Sequence, residues 1–310
     1  MKLKKLLGKL LLVGALGLGL TACSSGANSD EKETIQVTTT IAQIADIVEN
    51  IGGDKVEVES LMGPGIDPHL YQASQGDLSK LNDADIIFYN GLRLEGRMGE
   101  ILNKMTEEKP TIAVAESVPT EMLLVAEGEA DKMDPHVWFD ISLWLYAVEE
   151  VKDSLIEQDE ENADYYEENA AAYIEELEEL DAYAKEQIAT IPQESRVLVT
   201  AHDAFKYFGE AYDMEVTGLQ GLSTDAEFGL NDVRSIVDLL VERNIKAVFV
   251  ESSISEDSIN AVVQGAESRG HTVEIGGELY SDAMGAAGTE TGTYLGMFRH
   301  NIETIVNSLK

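Results

Sequence analysis

The sequence predicts an α/β protein in which two βα domains with parallel-type sheets are joined by one long spanning helix. Three observations carry this reading. Short apolar runs alternate with amphipathic segments over residues 34–117, and the same rhythm returns over 196–277, as βαβ units require. Between them, residues 159–191 contain neither Pro nor Gly. The 310 residues are 44% apolar, enough for two packed domains and unlike a disordered chain.

In the first half, "TIQVTTT" (34–40) reads as a strand and "IAQIADIVENIGG" (41–53) as a helix stopped by Gly52 and Gly53. "KVEVESL" (55–61) alternates like a half-buried strand. "DLSKLNDA" is a short helix, and "DIIFYNG" (85–91) and "TIAVAES" (111–117) are further strands. "ISLWLYAVEEVKDSLI" is an amphipathic helix that Asp140 is placed to cap. In 159–191, Tyr166, Ala170, Tyr173, Leu177, Leu180 and Ala184 keep three-to-four spacing, and Pro192 marks the end. The second half offers strands at 196–200, 215–221, 245–252 and 272–277, with helices near 203–211, 230–243 and 255–268 and a closing helix from Gly296. The expected organisation is an N-terminal domain over 34–158, a linking helix over 159–191 and a C-terminal domain over 192–310.

The N-terminus reads as a processing signal. Lys2, Lys4, Lys5 and Lys9 precede "LLLVGALGLGL" (10–20), an apolar run shorter than the ~20 residues of a membrane span. Residues 1–22 are therefore expected to be a signal peptide and 23–33 a polar tether. The run ends in "LTAC", similar to the bacterial lipobox, and Cys23 is the only cysteine, so no internal disulfide forms and lipidation is the expected role of its thiol. Cleavage leaves 18 basic residues against 58 acidic ones, a net charge near −40. Such a surface repels nucleic acid and anionic lipid.

Candidate functional residues start from a repeated tripeptide. Of five histidines, His69 and His136 both sit in Asp-Pro-His, within "GPGIDPHLYQ" and "DPHVWFD". Either tripeptide alone is ordinary turn chemistry, since Pro stiffens the backbone around it. His202 follows the strand "RVLVT", and Asp282 lies in the Gly-rich loop after "TVEIGG". Ligand sites of open α/β sheets lie at the carboxyl ends of strands, and the loops carrying these residues are placed to reach the interdomain cleft, where the site is expected. Three neutral imidazoles and a carboxylate make a site for a first-row divalent metal. His271 and His300 read as structural or surface residues.

"MGPGIDPHLYQ", "DPHVWFD", "TAHDAFKYFG", "GLQGLSTDAEFG", "VFVESS" and "GGELYSDAMG" together resemble the cluster A-I metal-binding lipoproteins of ABC importers, over nearly all of the mature chain, with most similarity to the manganese-associated subgroup. The resemblance implies that His69, His136, His202 and Asp282 are the metal ligands. It implies a lipid-anchored protein on the outer face of the cytoplasmic membrane, whose partners are the ABC permease and its ATPase. Manganese is the favoured ion, since "LLVAEGEADKM" lacks the histidines of zinc-specific relatives. His202, where many manganese members carry Glu, keeps zinc open. Competing readings are a metallohydrolase with Glu251 as base, against a role for Glu251 behind a ligand, and an adhesin. Alanine at His69 or His202 is expected to abolish tight binding and leave the fold intact.

Overall fold

The computed structural model describes residues 34–126, 132–225 and 228–310. Cys23, the signal segment and the tether lie outside the described residues. The first sheet is parallel in the order β2-β1-β3-β4, built from β1 (Ile35–Thr39), β2 (Val56–Ser60), β3 (Ile86–Tyr89) and β4 (Thr111–Ala113). The continuous apolar run of β3 suits a central strand covered on both faces, and the alternating "VEVES" of β2 suits an edge. Around these strands lie α1 (Ala42–Gly52), α2 (Gln75–Asp83) and α3 (Gly99–Met105), followed by α4 (Ile141–Gln158). Asp140 caps α4, its Oδ1 accepting from the backbone N–H of Ser142 at 2.9 Å.

Two local expectations change. The strand expected over 111–117 stops at Ala113, because only Ile87–Tyr89 of β3 offer it partners; residues 114–117 curl into a 3-10 turn. The helix α3 was not foreseen. It is seven residues long, opens on Gly99 and buries only Leu102 and Met105, too short a pattern to register as a period.

The Pro- and Gly-free stretch becomes a 3-10 turn at Glu160–Asn162 followed by α5 (Ala163–Ile188). At 1.5 Å per residue its 26 residues extend about 39 Å. The buried stripe is Tyr166, Ala170, Tyr173, Leu177, Leu180, Ala184 and Ile188, the expected positions plus one further turn. It packs on α1 and α4 from the first part of the chain and on α9 (Tyr294–Leu309) from the last. Buried Asp46 ties α1 to α5 and α9: its carboxylate accepts from Tyr173 Oη of α5 at 2.7 Å and from the backbone N–H of Tyr294, the first residue of α9, at 3.1 Å. Burial pushes the Asp46 carboxyl up to about 6.

After α5 come β5 (Val197–His202), α6 (Lys206–Tyr212), β6 (Glu215–Gln220), α7 (Leu230–Arg243), β7 (Ala247–Glu251), α8 (Asp257–Ser268) and β8 (Glu274–Leu279). The pairs β5–β6 and β7–β8 are parallel, and β5 lies beside β7. A hydrophobic core runs from Val37 through α5 to Leu309, and a second lies among these strands, α7 and α8. Among the described residues no helix is long and apolar enough to cross a membrane.

Candidate metal centre

Four separate parts of the chain supply the candidate ligands. His69 follows β2, His202 is the last residue of β5, Asp282 lies three residues past β8, and His136 sits just before the turn into α4. The structure brings all four sequence-predicted residues together: one ligand atom from each lies within 4.8 Å of every other. All four are buried. Asp282 is the hub. Its Oδ2 stands 3.2 Å from His202 Nε2 and 3.5 Å from His69 Nε2, and its Oδ1 is 3.4 Å from His136 Nε2. Two ligands about 2.1 Å from a shared ion, at a tetrahedral angle, lie about 3.4 Å apart. None of these five atoms has a hydrogen-bond partner of good geometry, although all are shut off from solvent. Buried polar atoms are rarely left so. Five converging nitrogen and oxygen atoms without other partners suit a cation.

Each imidazole is oriented from behind, in a different way. Glu251, ending β7, accepts from His202 Nδ1 at 2.5 Å and from the His202 backbone N–H at 2.8 Å. Asp134 Oδ1 accepts from the His136 backbone N–H at 2.9 Å and pairs with its Nδ1 at 2.7 Å. These contacts leave Nε2 as the atom turned to the centre. Asp67 takes the backbone N–H of His69 at 2.8 Å but does not reach its ring. Sequence reasoning found Glu251 and overlooked Asp67 and Asp134, although the residue two before each histidine was the available signal. Trp138 was also missed: its Nε1 donates to the Ser281 carbonyl at 3.1 Å, next to Asp282, and its ring meets that of His136 at 5.3 Å.

Burial alone would suppress protonation of His202, but the carboxylates of Glu251 and Asp282 outweigh it and raise its pKa well above the ordinary imidazole value. Burial likewise opposes ionisation of Asp282, and the imidazoles of His202, His136 and His69 override it and hold the carboxyl below the usual range. His69, where burial outweighs the attraction of Asp282, is held down at about 3. His271 and His300 stand apart, each ring bonded to a backbone carbonyl, that of Ile245 and that of Glu278.

Gly218 fixes the position of β5. A Cβ there would stand 2.4 Å from the Asp203 amide nitrogen and 2.5 Å from the His202 carbonyl carbon, so β6 meets β5 at a point only glycine allows. Gly218→Ala is expected to destabilise the metal-free protein by about 1–3 kcal/mol, as overpacking does. Urea denaturation checks this; an unchanged midpoint would refute it.

Residues 37–308 match the family described as ZnuA, zinc-uptake complex component A, periplasmic. The chain belongs to this family. The manganese-binding lipoprotein MntA of Bacillus subtilis is 58% identical over 294 residues, covering 94% of this chain and 95% of that one. The manganese ABC transporter substrate-binding lipoprotein PsaA of Streptococcus pneumoniae is 33% identical, covering 99% of each. Among solved structures, the periplasmic zinc-binding protein TroA of Treponema pallidum superposes with a TM-score of 0.88 at 46% identity, over 89% of this chain and 99% of that one. ZnuA-family membership agrees with the α/β architecture and with the buried cluster of three histidines and one aspartate.

Proposed function

We propose that this chain is the substrate-binding protein of an ABC importer, which captures a divalent transition metal and delivers it to the membrane permease and its ATPase. Manganese is the favoured ion, and His69, His136, His202 and Asp282 are its ligands. The observation that carries the reading is the convergence of five buried nitrogen and oxygen atoms without hydrogen-bond partners. Residues 34–158 and 192–310 are the two domains around it, linked through 159–191. Cys23 carries the lipid anchor that holds the protein to the outer face of the cytoplasmic membrane; the name "lipoprotein" of MntA and PsaA supports this.

Capture requires no chemistry on the ion. Three imidazoles and a carboxylate replace its water, with Asp282 able to offer both oxygens. Hydrolysis is disfavoured because Glu251, the sequence's candidate base, has both oxygens engaged with His202. Zinc is a second reading, favoured by the likeness to TroA. Tight zinc binding in vitro does not decide between them, since nitrogen and oxygen sites hold zinc more tightly than manganese in general.

Metal analysis of protein taken from its own host envelope tests the ion: manganese in excess over zinc is expected, and zinc alone would overturn the preference. Added manganese is also expected to raise the melting temperature, by roughly 4 kcal/mol of stabilisation at a free concentration a thousand times Kd. Calorimetry with and without the ion measures this, and an unmoved transition would contradict the whole reading.

A further inference from the structure

We infer that Thr224 is a positioning residue for His69, acting through Asp67 from across the binding pocket, and that this tie sets how fast the ion leaves. The inference rests on the metal-binding role proposed above. It begins with an asymmetry between the two Asp-Pro-His turns. In the second, Asp134 serves its own histidine twice, at the backbone N–H and at ring Nδ1, and its Oδ2 has no partner. In the first, Asp67 Oδ1 takes the His69 backbone N–H, but Oδ2 accepts the hydroxyl of Thr224 at 2.5 Å, a residue 157 positions away.

The consequence falls on His69. His136 and His202 each have a carboxylate behind the ring, whereas among the described residues no carboxylate holds His69 from that side. The orientation of His69 therefore depends on its turn. Pro68 makes that turn stiff, so a displacement of Asp67 carries through to the imidazole. The turn is itself lodged against the C-terminal half of the chain: Gly65, at φ +72°, comes close enough that a Cβ would stand 3.5 Å from the Ser252 carbonyl oxygen.

Thr224 sits where such a tie controls access. A pocket of about 510 Å³ opens beside the site, and His69 is the one residue of the four that lines it. Leu92 and Arg93 form one wall, and Leu222, Ser223 and Asp225 another. Among the described residues, two contacts join the segments flanking this pocket, the Thr224–Asp67 bond and an ion pair between Arg97 and Asp225 at 2.6 Å. The ion pair is exposed on both sides and contributes little. The Thr224 bond is half-buried, ends on a carboxylate and reaches a candidate ligand through Asp67, so it is the contact that matters.

The test is release of Zn(II) from loaded protein into excess chromophoric chelator, followed by stopped flow, with melting of the metal-free protein alongside. Thr224→Val is expected to release about tenfold faster, the effect of one lost charge-assisted hydrogen bond. Its association rate should be unchanged, which a collapsed site would not produce. Thr224→Ser should restore wild-type release. Arg97→Ala should alter release by less than about twofold. Release from Thr224→Val at the wild-type rate, or equal acceleration by Arg97→Ala, overturns the inference. Should the valine variant melt lower, the serine variant decides: wild-type release supports the hydroxyl's role, and release as fast as from valine refutes it. Wild-type protein that takes up no ion would overturn the metal-binding reading itself, and the inference with it.

Discussion

His202→Ala is expected to remove tight metal binding and to destabilise the metal-free protein as well. Losing an outer partner of a ligand typically costs 10–100-fold in affinity, so losing the ligand itself should cost at least about a hundredfold. The stability loss has a separate cause. His202 stands between two buried carboxylates, with Nδ1 on Glu251 at 2.5 Å and Nε2 on Asp282 at 3.2 Å. Both carboxyl groups are almost fully shut off from solvent. Removing the one cation between them leaves buried charge uncompensated, a loss of about 3–5 kcal/mol in comparable sites. The sequence-based expectation of an intact fold therefore needs correction for this variant. It suits His69→Ala better, because no buried carboxylate depends on that ring from behind. Metal titration and urea denaturation of both variants check the distinction. Equal stability of the two metal-free variants would contradict it.

The second large effect is a loss of affinity as the pH falls, accompanied by release of about one proton per ion near pH 7. The metal needs Nε2 of His202 deprotonated, whereas Glu251 and Asp282 hold that ring protonated in the metal-free protein to a pH above the ordinary imidazole range. His69, held at about 3, is already neutral and releases nothing in the physiological window. Below the His202 pKa, affinity should therefore fall about tenfold per pH unit, or about 1.4 kcal/mol. The sign for the metal-free fold is opposite. A histidine whose pKa is raised by folding adds stability that is fully present below its unfolded value and is lost as pH rises through the folded one. The stabilisation added by metal should then grow with pH. Calorimetric titration in two buffers of different ionisation heat counts the proton; a count of zero, with affinity flat from pH 6 to pH 8, would refute the assignment to His202.

Much of this site was legible in the sequence because each candidate ligand sits where local chemistry flags it. Asp-Pro-His marks two stiff turns, and His202 and Asp282 sit at or just beyond the carboxyl ends of apolar strands. The long helix was legible for a similar reason, since a three-to-four stripe without Pro or Gly has one ready solution. What escaped depends on contacts between residues distant in the chain. Nothing near Thr224 announces a bond to Asp67, and nothing in "VWFD" announces that Trp138 reaches Ser281, 143 residues on. The ends of β4 failed for the same reason: a strand extends only as far as its neighbour does, and β3 is too short to carry it further.

The most direct measurement is anomalous scattering from crystals of the protein loaded with manganese, collected on both sides of the manganese edge. A single strong peak is expected within about 2.0–2.3 Å of Nε2 of His69, His136 and His202 and of an Asp282 carboxylate oxygen. A fully loaded protein whose ion lies elsewhere, with those five atoms still facing one another around no metal, would contradict it.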